Sequence, residues 1–161
     1  MTEVKRFYET FHPEHYDIYL DISREKKIFH GKTVVIGEAQ EELVKLNQKY
    51  LKITSVRVDQ KKADFNYNDK DEVINIEAGK VGKMKIEVDF EGKLTDTMMG
   101  IYPSYYEVDG EKKQLIGTQF ETTFARQAFP CVDEPEAKAT FALAIKFDEK
   151  PGESIISNQP E

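Results

Sequence analysis

The residues best equipped for chemistry lie in "GTQFETTFARQAFPCVDEPEAKATF", residues 117–141. Gln119 and Glu121 stand two apart there. In an extended backbone, positions i and i+2 share a face, so residues 114–121 read as a strand project this amide and carboxylate together and turn Phe120 toward a core. Such a pair suits an ammonium ion. The amide oxygen and the carboxylate accept its hydrogen bonds, and the carboxylate neutralises its charge. The competing outcome, a carboxylate merely solvated at a strand end, is the commoner fate of an acid on an acidic surface.

The rest of the segment reads as structure. Pro130 and Pro135 stiffen the connection. Arg126 is spaced to pair with Asp133 or Glu134, and a bidentate pair would pin the loop. Cys131 is the chain's one cysteine. It has no histidine nearby in sequence to activate it, and packing is its expected role.

Other candidate chemistry is weaker. "FHPEHY" (residues 11–16) offers His12, Glu14 and His15. Zinc motifs of the H-E-x-x-H kind need two histidines four apart on one helix face. Here they are three apart with Pro13 between them, which disfavours a helix. A polar loop leading into the first strand is the expectation. His30 stands among charged residues and reads as a surface group. No G-x-S-x-G elbow or phosphate-cradling glycine loop is present.

The elements that must position Gln119 and Glu121 follow a period of two. "YDIYLDI" (16–22) and "KMKIEVDF" (83–90) alternate cleanly. "KTVVIGEA" (32–39), "SVRVD" (55–59), "ADFNY" (63–67), "EVINIEA" (72–78), "QLIGTQFE" (114–121) and "TFALAIKF" (140–147) complete the strand set. Asp109-Gly110 between "SYYEV" and "QLIGT" predicts a hairpin. Helix signals are confined to 38–46 and 133–139, each good for a turn or two. Short strands recurring with turn signals between them define an all-β, mostly antiparallel, sandwich-like domain. At 161 residues the chain fits one domain spanning residues 1–161.

Composition narrows the partners. A net charge of −7 and a pI near 5.1 argue against nucleic acid and anionic membranes, which need clustered Lys and Arg. Residues 1–10 are charged rather than apolar, no apolar run approaches the ~20 residues of a membrane span, and the single thiol fits a reducing compartment. The expectation is a cytoplasmic protein.

In its order of motifs the segment "GTQFETTFARQAFPCVDEPEAKATFAL" resembles the N-terminal-domain signature of the aminopeptidase N family of zinc metallopeptidases, the gluzincins. Thr-Gln-x-Glu is followed by Ala-Arg, then Phe-Pro-Cys-x-Asp-Glu-Pro, then Lys-Ala-x-Phe. "MGIYPSYY" (99–106) is similar to that family's Gly-x-Tyr-x-Ser segment, and "PEHYDIYLDI" (13–22) to its opening strand. "ISNQPE" (156–161) resembles its Ser-Asn-x-Pro, with Gln159 where Met is commoner. The likeness runs along essentially the whole chain and is closest to the bacterial cytosolic members.

The resemblance implies a saddle-shaped β domain packed on a thermolysin-like catalytic domain, in an enzyme that releases N-terminal amino acids from peptides. It implies one zinc, held by an H-E-x-x-H helix and a downstream Glu that these residues do not contain. The chain by itself is then expected to be an inactive N-terminal domain. Carried onto this sequence, the family's Gln and Glu of Thr-Gln-x-Glu are Gln119 and Glu121, and Glu121 helps hold the substrate's free α-amino group. The alternative from another class is a non-catalytic β-sandwich interaction module.

Overall fold

The computed structural model describes residues 6–158 and is all-β. Eleven strands run through the described residues. They are β1 (Phe11–Ser23), β2 (Ile28–Ala39), β3 (Leu43–Asn47), β4 (Lys52–Val58), β5 (Lys61–Lys62), β6 (Phe65–Asn68), β7 (Val73–Glu77), β8 (Gly82–Lys93), β9 (Gly100–Val108), β10 (Glu111–Gln119) and β11 (Thr140–Phe147). A six-stranded sheet has the order β11-β1-β2-β8-β4-β5, a three-stranded sheet the order β3-β7-β6, and β9 and β10 form a ribbon of their own. Every pairing is antiparallel except β1 with β11.

Alternation along the long strands builds the core in rows. Tyr16 lies opposite Val35, which lies opposite Ile86, and Ile18, Thr33 and Val88 make the next row. In the row of Leu20, Gly31 faces Phe90, and in the row of Ile22, Phe29 faces Gly92. A Cβ on Gly31 would lie 2.2 Å from the Phe90 ring, and one on Gly92 would lie 2.1 Å from the Phe29 ring. These two glycines make room for two rings that meet edge to face with centroids 6.4 Å apart. Val44 and Leu46 of β3 and Ile74 and Ile76 of β7 close the same core from the smaller sheet, all fully buried.

Four local expectations change. Residues 38–46 hold no helical turn. Leu43–Asn47 is a strand, because pairing with β7 buries Val44 and Leu46 completely and tertiary burial outweighs a weak helix preference. Residues 133–139 hold no helix: Glu134–Ala137 close a single turn with Pro135 inside it, the Ala137 N–H donating to the Glu134 carbonyl at 3.0 Å. The stretch from Phe11 is not a leading loop but the start of β1, with the register shifting between Pro13 and His15. Pro13 is tolerated because it sits at this irregularity, where β1 has β2 on one side and β11 begins pairing only at His15. Finally, β10 ends at Gln119 rather than continuing to residue 121. The hairpin at Asp109-Gly110 is present with both residues at positive φ, 54° and 78°, as a two-residue type I′ corner requires.

Candidate functional site

The site lies where the β9–β10 ribbon runs into the loop leading to β11. Gln119 is the last residue of β10 and is paired with Gly100, the first of β9. Gly100 has φ +69°, and a Cβ there would come within 2.8 Å of the Gln127 side chain, so glycine lets the ribbon seat against the 3-10 turn Ala125–Gln127. After Gln119 the backbone leaves the ladder. The Glu121-Thr122 peptide is cis, and the Phe124 N–H donates to the Phe120 carbonyl at 2.9 Å, closing a turn. Alternation therefore does not relate Glu121 to Gln119. Glu121 lies in the turn beyond the strand end, and both side chains are exposed. Phe120 between them is half-buried, its ring edge-on to Phe129 at 5.8 Å.

The support beneath this turn is held from several sides. Arg126 donates through Nε to Asp133 Oδ2 at 2.9 Å and through Nη1 to Glu72 Oε2 at 3.2 Å. Glu72 also pairs with Lys49, whose backbone N–H donates to the Arg126 carbonyl at 2.9 Å. Burial works against the charged form of Glu72, but Lys49 and Arg126 prevail and hold its carboxyl below the usual range. Asn47 and Cys131 exchange backbone hydrogen bonds of 2.7 and 3.2 Å, and Asn47 Oδ1 accepts from the Asp133 N–H at 3.0 Å. The buried Tyr16 hydroxyl accepts from the Val132 N–H at 3.1 Å. Glu134 does not pair with Arg126. It accepts the Phe7 and Tyr8 N–H groups at 2.8 and 3.1 Å. Pro130 and Cys131 are buried, burial pushes the Cys131 thiol well up, and Pro135 is exposed.

Of the four carboxylates in residues 117–141, three are engaged. Asp133 takes Arg126, Glu134 takes two backbone amides, and Glu136 pairs with Arg6. Glu121 has no hydrogen-bond or ion-pair partner among the described residues, and neither does the side chain of Gln119. An exposed, uncommitted carboxylate on a pinned support is free to receive a cation.

The histidines near the N-terminus are drawn to separate neighbours. His12 lies against the Tyr8 ring, His15 contacts Thr140 and Asp17, and Glu14 pairs with Lys83. Among the described residues no three His, Cys, Asp or Glu side chains converge as a metal site, so these residues do not fit a zinc ion. No helix of the described residues is long and apolar enough to cross a membrane.

The partners that sequence spacing missed are Glu72, Asn47 and Tyr16, which lie 54, 86 and 116 residues from the groups they hold. No short-range signal marks them.

The described residues form an all-β domain with an exposed amide, Gln119, and an uncommitted carboxylate, Glu121, above a pinned loop. The chain belongs to the Peptidase M1 N-terminal domain family, which matches residues 12–161. It is 63% identical over 98% of its length to an aminopeptidase N of Lactobacillus delbrueckii subsp. lactis, and 53% identical over 98% to one of Lactococcus lactis subsp. cremoris. A leucyl aminopeptidase of Saccharolobus solfataricus is 37% identical over 90% of the chain. The chain spans about a fifth of these relatives: 19% of each aminopeptidase N and 18% of the leucyl aminopeptidase.

Proposed function

We propose that residues 1–161 are the N-terminal β domain of a cytoplasmic, zinc-dependent aminopeptidase that releases N-terminal amino acids from peptides. The domain packs on the catalytic domain and positions the substrate. The zinc belongs to that catalytic domain, as the family resemblance implies. Supporting the reading are the relatives, named aminopeptidases and similar along nearly the whole chain.

Glu121 carries the site assignment, as the one carboxylate of its segment left uncommitted. A peptide α-amine, with a pKa of about 7.7–8.0, is largely protonated at neutral pH. Glu121 takes that ammonium in a charge-assisted hydrogen bond, and the Gln119 amide oxygen accepts another of its protons. Because the loop beneath is pinned, the ammonium is held at a fixed place, and the first peptide bond is the one presented for cleavage.

The test is made in the longer enzyme. Glu121→Ala should lower kcat/KM by roughly 2–5 kcal/mol of transition-state binding, the scale for removing one partner of a buried charge pair. Glu121→Gln, which keeps acceptor capacity and removes charge, should fall between. Kinetics near wild type for both variants refute the anchor role.

A further inference from the structure

The ribbon that ends at Gln119 has two unlike faces. One is turned to the core: Ile101 and Pro103 of β9 are buried, and Ile116 of β10 packs against the same cluster. Residues opposite each other in an antiparallel pair share a face, as do residues two apart on one strand. Register therefore puts Gln119 on the outward face, together with Gly117 and Leu115 of β10 and Tyr102 and Tyr106 of β9.

Next to Gln119 this outward face is apolar. Tyr102 lies opposite Gly117, two residues before Gln119. A Cβ at Gly117 would lie 3.2 Å from both Cζ and the hydroxyl oxygen of Tyr102, so the far end of the ring rests over this bare stretch of backbone. The ring is half-buried although it stands on the solvent side. Its hydroxyl has no hydrogen-bond partner among the described residues. Leu115, 47% exposed, follows on the same face, and Lys113 is the first charge met along that face of β10 going away from Gln119.

We propose that Tyr102 and Leu115 form the floor on which the side chain of the substrate's first residue rests, so that Tyr102 is a specificity-determining residue favouring leucine and phenylalanine over alanine and glycine. The inference rests on the reading that Gln119 and Glu121 hold the substrate's α-ammonium group. In an N-terminal residue the ammonium and the side chain leave the same carbon atom. An ammonium held at Gln119 therefore starts that side chain about 7 Å from Gly117, the two-residue repeat of a strand, and the Tyr102 ring covers that position. A long apolar side chain laid there removes its own surface and that of the ring and Leu115 from water, and glycine removes none. No charged side chain stands on this face between Gln119 and Leu115, so nothing there recruits a charged first residue.

The test compares kcat/KM on leucyl, phenylalanyl, alanyl and glycyl chromogenic amides for the full-length enzyme and its Tyr102→Ala, Tyr102→Phe and Leu115→Ala variants. Tyr102→Ala should lower the leucyl-to-glycyl ratio about tenfold and Leu115→Ala about two- to threefold, while Tyr102→Phe, which keeps the ring, should hold the parent ratio. The ratio is taken within one preparation, so any loss of folded enzyme cancels from it. A ring that only covers Gly117 lowers all four substrates in proportion, and an unchanged ratio in Tyr102→Ala overturns the proposal. Should Tyr102→Ala be inactive on every substrate, Leu115→Ala decides, because its side chain is exposed and outside the core, and an unchanged ratio there overturns the proposal equally. A Tyr102→Phe variant that loses the preference as fully as Tyr102→Ala also overturns it, since the ring is then not the source. Unchanged ratios in an enzyme that Glu121→Ala impairs defeat this inference alone. Kinetics near wild type for both Glu121→Ala and Glu121→Gln defeat the anchor reading beneath it.

Discussion

Glu72, with Asn47, ties the site loop to the smaller sheet, and its protonation sets a pH dependence. Its pKa in the folded chain lies below the ordinary value of 4.5, with burial opposing and the Lys49 and Arg126 contacts prevailing. A depressed carboxylate stabilises the fold above its unfolded pKa, and that contribution is lost as pH falls through the folded value. The pair is partly exposed, so solvent screens it and the effect is modest. Glu72→Gln should therefore be less stable than the parent at neutral pH, with the gap closing at pH values well below the ordinary carboxylate pKa. Urea midpoints at neutral and acid pH check this, and a gap that does not change with pH refutes it. Glu121 shows how far sequence reaches at this scale. Two-residue spacing put Gln119 and Glu121 on one strand face, but the extended backbone ends at Gln119, and a turn closed through Phe120 carries Glu121 instead.

Among the elements, glycines serve two different physical needs, and substitution separates them. Gly31 sits mid-strand beneath the Phe90 ring, where an added Cβ has no room. Gly110 sits at φ +78° in the β9–β10 corner with open space around it. Gly31→Ala should cost roughly 1–3 kcal/mol through overpacking, and Gly110→Ala about 1–2 kcal/mol through backbone strain alone. At about 2–4 °C per kcal/mol for a chain of this size, thermal melts resolve both losses. If Gly31→Ala melts like the parent, contact with the Phe90 ring does not constrain this position. The corner was readable because Asp109-Gly110 is a local signal. The Gly31–Phe90 fit was not, because the two residues meet only through the β2–β8 register. β3 escaped for the same reason: its strand character comes from burial against β7, which a window on residues 38–46 does not contain.

For the whole molecule, the proposed positioning role predicts a division of labour. The 161-residue chain assayed alone on aminoacyl chromogenic substrates, with zinc added, should show no turnover above background. Zinc-dependent turnover would place the chemistry within these residues. The sequence by itself determined what depends on local pattern: an all-β chain from two-residue alternation, a hairpin from Asp-Gly, an acidic composition, and the signature segment that marks the family. Tertiary structure alone decided which carboxylates are spent and which is free. Arg126 finds Glu72, Asp133 finds Asn47 and Val132 finds Tyr16 across 54, 86 and 116 residues. It also decided that β11, in sequence as good a buried strand as any, lies at an open edge with its core-side face bare. Alternation records which side chains share a face, but only the packed chain settles what, if anything, lies across from that face.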